Sequence, residues 1–147
     1  MILSIIEAIT PTLTDTFELV VGKPEEQVIN DKATQIIILD LPFGITPIES
    51  KSNVIPLKYF IQLRFLIKSD LKNENTRTQH TKYCIPMINA AVEFKRLIDT
   101  YKDSDDNIPI QSVTDIKINP LYNWKRLNNN YSGCELIFNV EINNNNC

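Results

Sequence analysis

Glycine is scarce in this chain, with three in 147 residues: Gly22, Gly44 and Gly133. A phosphate-cradling loop needs several closely spaced glycines so that backbone N–H groups can close round the ligand, and that class of nucleotide site is excluded. Histidine occurs once, as His80 in the polar stretch before a helical pattern. With no nucleophile or orienting partner in sight, it reads as an exposed residue near a helix cap. The three cysteines, Cys84, Cys134 and Cys147, are odd in number and form no CxxC pair, which argues against a disulfide framework or a zinc site. Cys84 and Cys134 read instead as small buried hydrophobes in a reduced, intracellular protein. No Lys or Arg precedes Lys23. The apolar start Met1–Thr10 therefore lacks the basic region of a signal peptide, and it lacks the basic face that would lay a helix on a membrane surface. No apolar run reaches the length of a membrane span.

What is present is ordinary for a globular protein: 43% hydrophobic and 22% charged residues, with a net charge of −3. The length suits a single domain, residues 1–147, with a short Asn-rich tail and a proper core. The acidic balance disfavours a protein whose main task is gripping nucleic acid, and does not exclude one that lines a passage for DNA, where weak adhesion is an advantage. The carboxylates form no chemical set. Asp103, Asp105 and Asp106 lack the central glycine and distal Glu of a calcium loop. Glu25 and Glu26 are neighbours that would not converge on one substrate.

The chain is organised around His80 to Tyr101. Cys84, Met87, Ile88, Ala91, Phe94 and Ile98 hold the i, i+3, i+4, i+7 spacing of an amphipathic helix. Pro86 is expected in its first turn, where a missing N–H is tolerated. A shorter apolar segment, Ile2 to about Leu13, holds helical phase, and Pro11 ends its helix near Ala8 or bends it there. Strands are expected at Thr16–Val21, Gln35–Leu41, Leu57–Lys68, Ile108–Ile118 and Cys134–Ile142. QIIILDL holds a continuous run of β-branched residues and reads as a strand covered on both faces. In Leu57–Lys68, Tyr59, Ile61, Leu63, Phe65 and Ile67 point to the core, and Phe60, Gln62, Arg64, Leu66 and Lys68 to a half-wet face. Along Ile108–Ile118 the even-numbered residues are expected to share one face. Ile45–Asn53 and Leu121–Gly133 read as loops. The order predicts an α+β fold: a four- to five-stranded, largely antiparallel sheet with helices packed on one face.

The segment from Leu121 to Tyr131 combines Tyr122, Trp124 and Tyr131 with Lys125 and Arg126. Such a mixture can stack on single-stranded nucleic acid, anchor a protein contact, or fold back on its own core. The acidic chain favours the protein contact over nucleic acid. Subunit-interface candidates are Phe43, Ile48, Tyr122, Trp124, Arg126, Tyr131 and Cys147.

The arrangement resembles the tail-completion, or tail-terminator-like, neck proteins of tailed bacteriophages, as in phages of the Bacteroides group including crAss-like phages. The resemblance rests on Gly22-Lys23-Pro24-Glu25 leading through Asn30-Asp31-Lys32 into QIIILDLP, and on the strand IQLRFLIKSDL. It rests also on Gln79-His80 opening the helix, and on Tyr131-Ser132-Gly133-Cys134 leading into LIFNVEI and Cys147. It implies a structural virion protein, not an enzyme, without cofactor or metal. Such a protein would form a homo-oligomeric ring that connects or caps the head–tail passage. Its partners would be other neck and tail proteins (portal, adaptor or tail tube), with DNA only as passing cargo and no membrane. It would be assembled in the host cytoplasm and located in the virion. The alternative is a small binding module, for nucleic acid, acting through the 121–131 segment.

Overall fold

The computed structural model describes residues 2–22, 34–41, 44–47, 56–69, 75–126 and 129–143. Their order is α1 (Ile2–Ile9), a 3-10 turn (Thr10–Thr12), β1 (Glu18–Gly22), β2 (Gln35–Asp40), β3 (Gly44–Pro47) and β4 (Pro56–Lys68). Then follow α2 (Thr76–Gln79), a π-helical turn (His80–Cys84), α3 (Ile85–Asp99), β5 (Ile110–Arg126) and β6 (Asn129–Asn143). The fold is α+β. Its six-stranded sheet runs in the order β1-β2-β4-β6-β5, with β3 pairing beside β2 on β4. All pairings are antiparallel except β1 with β2, which is parallel. The strand count exceeds the expected four to five because β3 forms within what reads as loop.

β4 is the spine. All 13 of its residues pair with β6, from Pro56 opposite Asn143 to Lys68 opposite Tyr131. The period of two along both strands then fixes two faces. One carries Ile37, Leu39, Ile61, Leu63, Phe65, Cys134, Leu136, Phe138 and Val140, all buried. α1 and α3 pack on this face, contributing Ile5, Ile6 and Ile9 from the first, and Met87, Ala91, Phe94 and Ile98 from the second. Phe65 joins the layers, meeting Phe94 edge-on at 5.7 Å and Phe17 at 5.9 Å between ring centroids. On the other face Val20, Ile36, Ile38, Leu66 and Tyr131 form a second, smaller apolar cluster. Leu66 is thus core rather than half-wet, because its neighbours Ile36 and Gly133 leave it among apolar partners.

The central helix begins earlier than its apolar spacing predicts. Asn75 caps α2, accepting the Thr78 N–H at 2.9 Å. Helix then continues through the π-helical turn to Asp99, so Pro86 lies inside a continuous helix rather than opening it. A proline ring crowds the carbonyl four residues back and supplies no N–H, and the wider turn immediately before it accommodates both. His80 is accordingly a helical residue, half-buried rather than at a cap.

The larger departure is at β5 and β6. Leu121–Gly133 is not a loop: both strands continue through it, to Arg126 on one side and from Asn129 on the other. The register shifts between Ile110 and Ser112, between Thr114 and Lys117, and between Leu121 and Trp124. Asp115 and Asn123 stand at φ 54° within the last two shifts, a left-handed conformation that short Asx side chains tolerate. These bulges break the alternation, so Ile110 is buried while Ile116 is exposed instead of sharing its face.

Gly133 marks where β6 lies tightest on β4, since a Cβ there would overlap the carbonyl oxygen of Phe65. Backbone cannot move aside as a side chain does. Gly133→Ala is therefore expected to cost at least about 2 kcal/mol, or to prevent folding. Phe94→Ala, which empties the core between helix and sheet, should cost about 3–5 kcal/mol. Urea unfolding checks both, and a loss under about 0.5 kcal/mol at either position would contradict this packing.

Candidate functional site

No described helix covers the second face of the sheet, and Arg64 stands at its middle. The register sets Arg64 opposite Ile38 on β2 and Glu135 on β6. Its guanidinium lies 2.6 Å from Asp40 and 3.8 Å from Glu135, and 5.9 Å from the ring of Trp124. Gln62 donates a hydrogen bond to the same Glu135 carboxylate. A planar fork can serve two carboxylates and an aromatic face at once, which an ammonium cannot. The Arg64, Asp40 and Glu135 side chains are 21%, 25% and 17% exposed, so water screens this set only in part.

The last register shift of β5, at Asn123, places Tyr122 and Trp124. Trp124 packs on the second face, its ring 6.2 Å from that of Tyr131. Tyr122 turns outward, its hydroxyl 2.9 Å from His80 Nδ1. Between them a polar network ties the hairpin to the end of β4. The Asn123 N–H donates to Ser132 Oγ at 3.3 Å, and Asn130 Nδ2 donates to Ser69 Oγ at 2.7 Å and to Asn123 Oδ1 at 3.2 Å. The hydroxyls of Ser69 and Ser132 are 3.1 Å apart.

The interface candidates therefore separate. Tyr122 is exposed and Trp124 half-buried. Tyr131 is fully buried in the second apolar cluster and offers no surface to a neighbour. Its burial follows from its place opposite Lys68 at the end of β4, next to Leu66. Arg126 pairs through its backbone with Asn129, and its side chain lies outside the described residues. So do Phe43, Ile48 and Cys147.

Sequence reasoning missed a groove of about 390 Å³ where the turn after α1 leads into β1. Leu13, Phe17 and Leu19 supply its apolar lining, and Glu7 and Asp15 its acidic rim. Between the lining residues Leu13 and Asp15, Thr14 is tied to Glu93 of α3, which accepts its N–H at 2.9 Å and its hydroxyl at 3.1 Å. The available signal was an apolar stretch with acidic residues but no basic ones before Lys23.

Cys84 and Cys134 are both free and buried. The Cys84 thiol donates to the Leu121 carbonyl at 3.5 Å. Burial raises the pKa of Cys84, and raises that of Cys134 from 9.0 to about 12 with help from neighbouring Cys84 and Glu135. Among the described residues no cluster of His, Cys, Asp and Glu could hold a metal, and no helix is long and apolar enough to cross a membrane.

Two outcomes follow. Arg64→Ala leaves Asp40 and Glu135 without their shared cation and should cost about 1.5–3 kcal/mol, with Arg64→Lys recovering only part. Equal stability of the alanine variant and the wild type in urea melts would contradict the assignment. The second concerns pH. A thiol held protonated in the folded chain but ionised in the unfolded one contributes stability below pH 9.0, which is lost as pH rises toward about 12. Cys134→Ala should flatten that loss by up to about 1.4 kcal/mol per pH unit. Parallel stability–pH curves for wild type and variant would contradict it.

A comparison with protein-family models finds no match to the chain, and a comparison with curated proteins finds no significant similarity.

Proposed function

We propose that the chain is a structural virion protein of a tailed bacteriophage, assembling with copies of itself into a ring in the neck or tail that connects or caps the passage for DNA. The order of elements carries the reading. An N-terminal helix, a run of strands, a long amphipathic helix and a closing pair of strands is the order that the resemblance to tail-completion proteins implies. Placing α1 and α3 on one face supports it, because among the described residues β1 and β5 stand at the ends of the sheet, where neighbours could meet them. A net charge of −3 suits a wall past which DNA must slide without sticking. The reading assigns the chain no reaction and no cofactor; its partners are further copies of itself and the adjoining portal, adaptor or tail-tube proteins.

The nucleic-acid alternative has less support, since Tyr131 is buried and Trp124 packs against Arg64 and Tyr131 rather than standing free to stack on bases.

Electron cryomicroscopy of purified virions tests the proposal. The expected result is a closed ring of this chain round the axial channel in the neck or tail. Absence of the chain from those parts overturns it. A DNA affinity that falls steeply with salt would favour the binding module instead.

A further inference from the structure

We infer that the ring is joined by a head-to-tail contact in which the β5 edge of one copy docks into the acidic groove beside β1 of the next. This rests on the ring reading above and names the surfaces that would make it. Among the described strands, β1 and β5 are the two ends of the sheet order. A contact between unlike edges is heterologous, so each copy keeps one of each free and the contact repeats until it closes.

The two edges are complementary in charge. From Ile2 to Gly22 the chain carries Glu7, Asp15 and Glu18 and no Lys or Arg. From Ile116 to Arg126 it carries Lys117, Lys125 and Arg126 and no Asp or Glu. Glu7 and Asp15 on the groove rim are exposed, as are Lys117 and Lys125 on β5.

They are complementary in shape and polarity too. The groove has an apolar lining in Leu13, Phe17 and Leu19, and Phe17 is held in place by its edge-on contact with Phe65. β5 presents the apolar side chains to fill it: Ile116 is 40% exposed and Tyr122 39%. The Tyr122 hydroxyl is 2.9 Å from His80 Nδ1, which holds the ring outward before any partner arrives. Side chains fixed in advance lose less entropy on docking.

The backbone of β5 argues for side-chain docking over strand addition. Two register shifts, centred on Asp115 and on Asn123, bend the strand, and Pro120 between them has no N–H to offer. A bulged, proline-bearing edge is a poor template for a further strand.

Charge reversal tests the pairing on the full chain. Lys117→Glu with Lys125→Glu makes one variant, and Glu7→Lys with Asp15→Lys makes the other. All four positions are exposed, and unchanged circular dichroism and melting check that each variant folds. Particle mass is read by light scattering. Each variant alone is expected to associate at least about tenfold more weakly than wild type. An equimolar mixture should regain wild-type assembly, because every contact between unlike variants again joins opposite charges. Rising salt should weaken the wild-type contact. If wild type assembles and either folded variant assembles equally well, or the mixture stays apart, this pairing is overturned while the ring stands. If wild type remains monomeric at every soluble concentration, the ring reading falls and the pairing with it.

Discussion

The close, full-length pairing of β4 with β6 is the constraint on which the rest of the molecule depends. Gly133 lets β6 lie against the Phe65 carbonyl, and the register that results sets Leu63 beside Leu136 and Ile61 beside Phe138. Those residues make the apolar floor on which α1 and α3 rest. The same register brings Glu135 to Arg64 on the opposite face. A slip of one residue would exchange the two faces, burying Arg64 under the helices and exposing Phe65.

Much of this frame was legible in the residues. QIIILDL reads as a strand covered on both sides, and Ile36, Ile37, Ile38 and Leu39 are all fully buried. The odd positions of β4 and the even positions of β6 alternate cleanly, as half-covered antiparallel strands do. Legibility failed where local chemistry imitates a boundary. Asn119-Pro120 looks like the end of a strand and the asparagines before Tyr131 look like a loop, yet β5 runs on to Arg126 and β6 already begins at Asn129. The left-handed Asp115 and Asn123 shift the phase of β5, so no single period fits it. Pro86 marks a helix start only if the turn before it is ordinary, and here that turn is π-helical.

The candidate site was half legible for a related reason. Composition identifies Tyr122, Trp124 and Tyr131 as a group, but the bulge at Asn123 sends Tyr122 outward and Trp124 onto the second face beside Arg64 and Tyr131. Tyr131 is lost to the surface because it sits beside the apolar Leu66 and Ile36. The groove was illegible because its lining comes from the end of a helix, a turn and a strand, none of which is distinctive alone. The interior of the molecule is thus spent on holding one sheet, while opposite charges lie near its two edges and Ile116 and Tyr122 stand exposed on β5. That division is the one the proposed ring assembly would use.

Hydrogen–deuterium exchange of the wild-type chain, compared between dilute and concentrated solution, tests that division most directly. The account predicts that amides of β4 and β6 exchange slowly under both conditions. New protection on concentration should fall on the groove and β1, within residues 10–22, and on residues 116–126 of β5. Unchanged exchange at both edges, or new protection confined to β4 and β6, would contradict it.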